Sequence, residues 1–399
     1  MEVVDPGWIV TVLFNFTSDD DDMPKGDQYL DPEALLVNRH KQPFTIALII
    51  IYALNFTVGL VGNVFVILVI LRHRHMRTLT NVFFLNLTVG DLMVVCVCLP
   101  ITLGNYIYRD WVYGQAMCKL TPFLQGMAVG VSVLSMMSIS LNRYFAILRP
   151  LRAKMVFSRG KVGVMLVLIW LLSAAAVCPL LVINHVTAYG LEGVFKARVC
   201  VERWGSQEAR QFFNLLIFSL LFVLPLCLMA ALYTRISMEL FASDVHLFEA
   251  ANNGKHSSGG GGGGMGGGGN AQASRLLRQR RKTVRSLILL VVLFGVSWLP
   301  FYVVNIWLDF NSGDYTAPQI LTFIYPIVQV LGLSNSSMNP VVYCCLSKGS
   351  RTFQLFCQSS AVLFSKQRLQ ASVRQPVLPA EVAHSPRYPR HSQVPLSSL

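Results

Sequence analysis

The sequence predicts an all-α membrane protein: a seven-transmembrane helix bundle followed by a short amphipathic eighth helix. Three observations carry that reading. The 399 residues are 53% hydrophobic and only 13% charged, too few charges to clothe a soluble domain of this size. The apolar residues fall in long uninterrupted runs, as bilayer-crossing segments do. Lysine and arginine concentrate in alternate connections between those runs, which is how membrane topology is sorted.

Seven runs reach the ~20 residues that span a bilayer: 44–71, 79–105, 114–147, 160–183, 208–240, 283–308 and 317–345. Several are longer, which implies tilt or extension beyond the hydrocarbon. The connection 72–78 carries Arg72, Arg74 and Arg77; 148–161 carries Arg149, Arg152, Lys154, Arg159 and Lys161; 235–285 carries eight more, from Arg235 to Arg285. The alternate connections carry Arg109, Lys196, Arg198 and Arg203. The positive side stays inside, so the N-terminus is expected outside and the C-terminus in the cytosol of a multi-pass plasma-membrane protein. The net charge of +13 therefore reads as topological sorting and not as nucleic-acid binding. The first 43 residues lack a basic start followed by an apolar core, so the first helix is expected to serve as the insertion signal.

Segment 1–43 has nine acidic residues against three basic ones. It reads as an extracellular solvated tail or as an electrostatic funnel for a cationic ligand. Asn15-Phe16-Thr17 is a glycosylation acceptor on that side. The bundle occupies 44–347. Within its third cytosolic connection, 254–270 is nearly all glycine and reads as a flexible linker. The basic run Arg275–Lys282 that follows extends the sixth helix and suits lipid headgroups, a partner protein, or both. In 348–358, Phe353, Phe356 and Cys357 share one helical face, the pattern of a helix lying on the membrane, with Cys357 placed for palmitoylation. The remainder, 359–399, reads as a disordered cytosolic tail whose serines are candidate phosphosites and whose end, Ser397-Ser398-Leu399, fits a PDZ ligand.

Of nine cysteines, Cys96, Cys98, Cys178, Cys227, Cys344 and Cys345 fall in helices and Cys357 on the inner side. Cys118, at the top of the third helix, and Cys200, in the loop after the fourth, fall on the oxidising outer side. A bridge between them would pin that loop over the mouth of the bundle.

Short motifs recur at defined helices. Gly62-Asn63 lies in the first, Leu87 to Asp91 in the second, Asn142-Arg143-Tyr144 at the end of the third and Trp170 in the fourth. Pro225 and Tyr233 lie in the fifth, Phe294 with Ser297-Trp298-Leu299-Pro300 in the sixth, and Asn339-Pro340-Val341-Val342-Tyr343 in the seventh. Together with Cys118 and Cys200 this set resembles the rhodopsin-family G-protein-coupled receptors over about residues 44–358. Gln125, Asn305 and the loop Cys200-Val201-Glu202-Arg203-Trp204-Gly205 are similar to those of orexin-type receptors and the wider group of allatotropin, trissin and neuropeptide FF receptors. Tyr144 departs from the tryptophan common in the orexin and allatotropin types.

Each motif has a physical reading beside the resemblance. Asp91 is an ionisable group at membrane depth, costly and so functional by default. Ser132, Asn335 and Ser336, with Asn63 and Asn339, are its expected companions; Ser132 lies about 16 Å up the third helix from Arg143. The resemblance implies an allosteric Na⁺ there, with a water-bridged polar network as the other reading. Pro300 and Pro340 permit kinks, and repacking of Trp298 and Phe294 would swing the inner half of the sixth helix. Tyr233 and Tyr343 would then turn toward Arg143. Receptors of this type usually place an acidic residue where Asn142 stands. A neutral amide holds Arg143 less tightly, so raised ligand-free signalling is expected unless other packing holds the bundle closed.

Gln125 lies about 27 Å from Arg143 along the third helix, near the outer mouth. Amine receptors of the family carry an aspartate there, so an amine ligand is disfavoured. Leu333 stands where an opsin has its lysine, and 317–345 contains none, so light sensing is disfavoured too. Gln125, Asn305 and Gln329 can donate to and accept from a peptide backbone, with Thr102, Asn105 and Tyr302 lining the same pocket. Glu202 and the acidic N-terminus favour a cationic peptide, whereas Trp204 and Trp111 read as packing residues. The expected function is a neuropeptide receptor acting through a heterotrimeric G protein, with arrestin and receptor kinases as further partners. A small-molecule or lipid receptor on the same scaffold is the alternative. A transporter is disfavoured because the halves show no repeat. No phosphate loop and no zinc-type His/Cys cluster is present, so neither catalysis nor a cofactor is expected.

Overall fold

The computed structural model describes residues 43–108, 110–191, 195–256, 267–311 and 320–346. Helix α1 is Pro43–Arg72 and α2 is Leu79–Tyr108, the latter carrying a π turn at Val94–Cys98. Helix α3 is Gly114–Leu148. A short helix, Pro150–Val156, leads to α4, Arg159–Val177. Strands β1 (Asn184–Leu191) and β2 (Phe195–Glu202) follow. Helix α5 runs through Gln207–Phe218, a π turn Ser219–Val223 and Leu224–His256. Helix α6 is Gly267–Phe310, and α7 follows a π turn Ile320–Ile324 as Tyr325–Leu346.

Local chemistry sets several boundaries. Thr78 caps α2 by accepting from the Asn81 backbone N–H at 3.3 Å, and Ser206 caps α5 by accepting from that of Ala209 at 3.2 Å. Pro150 opens the short helix, where its missing N–H costs nothing. The fourth helix ends at Val177, earlier than its apolar run, just before Pro179. Helices α5 and α6 instead outrun theirs. An apolar run marks what sits in hydrocarbon, whereas polar and basic residues propagate a helix equally well in water. The glycine-rich segment is partly absorbed by this extension: α5 ends at His256, α6 begins at Gly267, and 257–266 lie outside the described residues. So do most of the acidic N-terminal segment, with Asn15, and everything beyond 346, with Cys357 and the expected eighth helix.

The helices pack as a ring in which α1 meets α2 and α7, α5 meets α6, and α6 meets α7; α3 stands central against α2, α4 and α5. One apolar core joins α3, α5 and α6 through Val131, Met136, Met229, Ile236, Leu290 and Phe294. A second joins α1, α2 and α7 through Tyr52, Val95, Leu99, Val330 and Leu333. The outer faces are apolar as well, for example Leu54 and Val61 on α1 and Val164, Val167 and Leu171 on α4, all about 60% exposed. A protein apolar inside and outside is built for lipid. Among the described residues, six helices are long and apolar enough to cross a membrane, α1 to α6. Helix α7 carries Ser334, Asn335, Ser336, Ser337 and Asn339. All five are buried in the bundle, so neighbouring helices, not lipid, meet its polar groups.

Helices α3 and α4 approach closely at Gly130. A Cβ there would lie 2.9 Å from Ser173 Cβ and 3.3 Å from its backbone Cα, atoms that cannot move without the helix. Gly130→Ala should therefore pry the two helices apart and cost about 1–3 kcal/mol. A lowered unfolding temperature of the detergent-solubilised protein, with Ser173→Gly partly restoring it, is the expected result.

Candidate ligand pocket and polar core

A two-stranded lid covers one end of the bundle. β1 and β2 pair antiparallel, with Val186 opposite Cys200, and Cys200 is disulfide-bonded to Cys118 near the start of α3. Asp110, in the α2–α3 connection, accepts from Arg198 three times: from its backbone N–H at 2.6 Å, Nε at 3.2 Å and Nη2 at 2.6 Å. The Trp111 N–H donates to Arg198 O at 2.8 Å. Gln115 holds the other strand, accepting from the Val186 N–H at 2.8 Å and donating to Asn184 O at 3.1 Å. The loop expected to be pinned by a disulfide is thus a hairpin clamped along both strands.

Beneath this lid the residues expected to bind ligand divide. Tyr106 of α2 donates to Gln329 Oε1 of α7 at 2.6 Å. Thr102 and Tyr302 are buried, Gln125, Asn305 and Gln329 are half-buried, and Asn105 and Glu202 are exposed. Gln125 shares a stripe of α3 with Ser132, two turns away. Asn305 is bonded to Phe301 O at 2.8 Å and stands beside Tyr325. Glu202 is engaged by Trp204, whose Nε1 donates to Oε2 at 2.8 Å while its ring packs on Phe213.

Asp309 is the residue that sequence reasoning missed. Its carboxylate is 2% exposed at the lid end of α6. Arg210 Nε stands 2.8 Å from Oδ1, and Asn214 donates to Oδ2 at 2.6 Å. Gln207 and Gln211 donate to its backbone carbonyl. Four residues of α5 thus converge on one residue of α6. The signal was available: an acidic residue at the end of an apolar run, two positions past Trp307.

Deeper in the bundle, Asn339 donates to Asp91 Oδ2 at 2.9 Å, and Ser132 and Ser336 stand beside the same carboxylate. Asn63 donates to Ser336 O at 2.9 Å and to Gly59 O at 2.8 Å. Three oxygens of this cluster, Asp91 Oδ1, Asn63 Oδ1 and Asn335 Oδ1, are buried and meet no donor at hydrogen-bonding geometry. Three acceptors without donors suit a cation and poorly suit apolar packing.

Aromatic packing links the lid end to the far end. Tyr302 packs on Phe218 and Phe222, each at 5.3 Å, and on Trp298 at 6.2 Å; Phe222 reaches Phe294 at 6.1 Å. Trp298 lies against α7 at Gly332, where a Cβ would come within 3.1 Å of the indole. Pro300 and Pro340 lie inside their helices. At the far end the Ser140 and Tyr233 hydroxyls hydrogen-bond at 2.8 Å, with Arg143 close enough to act electrostatically on Tyr233. Asn142, Arg143 and Tyr144 are half-buried. The backbone of Tyr343 is in α7, and its side chain lies outside the described residues.

Residues 62–343 match the family model described as "7 transmembrane receptor (rhodopsin family)". The chain belongs to this receptor family. It is a multi-pass membrane protein. The receptor is 31% identical to the QRFP-like peptide receptor of Branchiostoma floridae, over 75% of this chain and 74% of that protein. It is 31% identical to neuropeptide FF receptor 1 of Homo sapiens, over 76% and 68%. Neuropeptide Y receptor type 2 of Macaca mulatta is 29% identical, over 80% and 78%.

The receptor's lid clamp is pH-sensitive in one direction. The Arg198 guanidinium, by its hydrogen bonds, holds the Asp110 carboxyl below its ordinary value, and Arg198 is raised in return. A depressed carboxyl contributes stability above its ordinary pKa and loses it as pH falls through the lowered value. Hydrogen exchange of the hairpin amides should therefore be slower in the native chain than in Asp110→Asn at neutral pH. The two should converge at acid pH, once the Asp110 carboxyl has taken up its proton below its lowered value, and high salt should narrow the gap because the pair is partly exposed.

Proposed function

We propose that this chain is a plasma-membrane receptor for an extracellular neuropeptide, with its N-terminus and hairpin lid outside, signalling to a heterotrimeric G protein. The observation that carries the peptide reading is Asp309, a buried carboxylate at the lid end whose cationic partner among the described residues is Arg210. A ligand guanidinium or ammonium can take over that carboxylate, while Gln125, Gln329, Asn305, Thr102, Asn105 and Tyr302 meet backbone amides. Glu202 adds negative charge at the rim. The similarity to receptors named for neuropeptides supports the same reading. Ligand binding shifts a pre-existing equilibrium through Tyr302, Trp298 and Phe294, and α6 swings outward at the Arg143 end.

The G protein is met there by Arg143, by the inward-facing Arg280 and by the short helix Pro150–Val156. That helix presents Leu151 and Met155, one turn apart and 81% and 63% exposed. Asp91, Ser132, Asn335 and Ser336 would hold a Na⁺ ion; the donorless oxygens of this cluster fit such an ion. The ion would supply charge compensation for Asp91 in the resting state. Glycosylation at Asn15, palmitoylation at Cys357, receptor kinases and arrestin on the tail, and a PDZ protein at Ser397-Ser398-Leu399 complete the proposal.

A screen of amidated and free neuropeptides on cells expressing the chain, read by calcium and cAMP, tests this directly; silence across the library would refute it. For an active cationic peptide, Asp309→Asn should lower potency about tenfold to a hundredfold, the loss of one charge-assisted hydrogen bond. Truncating the peptide's cationic side chain should abolish that difference between native chain and variant. Asn142→Asp, at matched surface expression, should reduce ligand-free signalling by supplying Arg143 with a carboxylate; unchanged or higher basal signalling would contradict it.

A further inference from the structure

We propose that the outward face of the α6 foot is a docking surface for the anionic headgroups of membrane phospholipids. Arg275, Arg278, Lys282 and Arg285 are exposed and follow one another at spacings of three, four and three residues, a single stripe along the helix. The helix is continuous from Gly267 to Phe310, so the direction of that stripe can be followed into the bundle. It continues as Leu289, Val292, Val296 and Val303, exposed by 39%, 51%, 61% and 54%. The opposite face carries Val284, Leu287, Leu290 and Phe294, all buried. Apolar side chains exposed on the outside of a membrane bundle face hydrocarbon. The basic stripe therefore leaves the bundle on the lipid side and not on the side of its central mouth.

The other two arginines of the run are turned elsewhere. Arg281 donates to Leu240 O of α5 at 3.0 Å. Arg280 lies five residues from both Arg275 and Arg285, off the stripe and on the side of Val284 and Leu287. From Gly267 to Leu308 the helix contains no Asp or Glu, so the stripe is not neutralised by its own helix. From Arg285 to Arg275 is about 15 Å. The headgroup layer is about 5–8 Å deep and the field of a charged surface reaches about 8 Å further, so Arg285, Lys282 and Arg278 lie within range of anionic phosphate and carboxylate and Arg275 at its edge.

The test uses the full chain in nanodiscs of phosphatidylcholine and phosphatidylserine at roughly four to one, a composition giving a negative surface. Energy transfer from protein to labelled lipid reports the preference of the protein's lipid shell for each headgroup. The native chain should prefer phosphatidylserine, less so at high salt. Each of Arg278→Gln and Lys282→Gln should lower that preference by up to about fivefold, and the four-fold Gln variant by more. Arg280→Gln should leave it unchanged. The single variants remain informative if the four-fold one fails to fold. An unaltered preference in the stripe variants, or an equal loss in Arg280→Gln, would overturn the proposal. So would stripe variants that keep the lipid preference while losing binding of a purified G protein, since the stripe would then be a protein surface. This readout needs no ligand and no signalling, so it stands apart from the receptor assignment above.

Discussion

A polar group withdrawn from water must be satisfied by the protein or it costs several kcal/mol, and this bundle is arranged around that constraint. Asp91 is the extreme case, a carboxylate 1% exposed at the centre of α2. It brings in Asn339 from α7 and places Ser132 of α3 and Ser336 beside it, while Asn63 ties α1 to the same stretch of α7. Four of the seven helices therefore meet at one polar cluster. Helix α7 supplies most of those partners, and its polar side chains are tolerated because α1, α2 and α6 cover it.

The same constraint works at a second tier between α2, α3 and α4. Trp170 donates to Asn86 Oδ1 at 2.8 Å, and Asn86 donates to Ser135 Oγ at 2.9 Å. Each amide or indole group is used across a helix boundary. The small residues do complementary work: Gly130 lets α4 come close enough for this chain to form, and Gly332 lets Trp298 lie on the α7 backbone. Polar contacts fix register while glycines fix distance, and neither alone would place three helices at once.

The two ends differ in kind. At the lid end the interactions are charged: Arg198 of the hairpin with Asp110 of the α2–α3 connection, and Arg210 of α5 with Asp309 of α6. At the far end the described residues are largely basic, with Arg143 beside Tyr233 and Arg275, Arg278, Arg280, Lys282 and Arg285 on the foot of α6. Between them runs unbroken aromatic and apolar packing, Tyr302 to Trp298 and by way of Phe222 to Phe294. Close packing of this kind is bistable and not continuously deformable, so it can relay a change at one end to the other.

Much of this was legible in one dimension. Apolar run length located the helices, because hydrocarbon thickness imposes it whatever the fold. Asp91, Pro300 and Cys118 stood out as residue types that a membrane helix or an outer loop does not hold without reason. Other features were settled only when the chain came together. The end of α5 outran its apolar run because helix propensity continues where hydropathy stops, as the basic run 275–282 had already indicated for α6. The hairpin escaped notice because β1 and β2 lie between two apolar runs and read as a loop until they pair with each other and are clamped by Asp110 and Gln115. Asp309 looked like the end of a run until Arg210, some hundred residues away in sequence, met it. By itself the sequence determined what must be buried and what must face lipid, since transfer free energy belongs to each side chain alone. Which buried polar group answers which was decided by tertiary structure, because a hydrogen bond needs two partners and a direction.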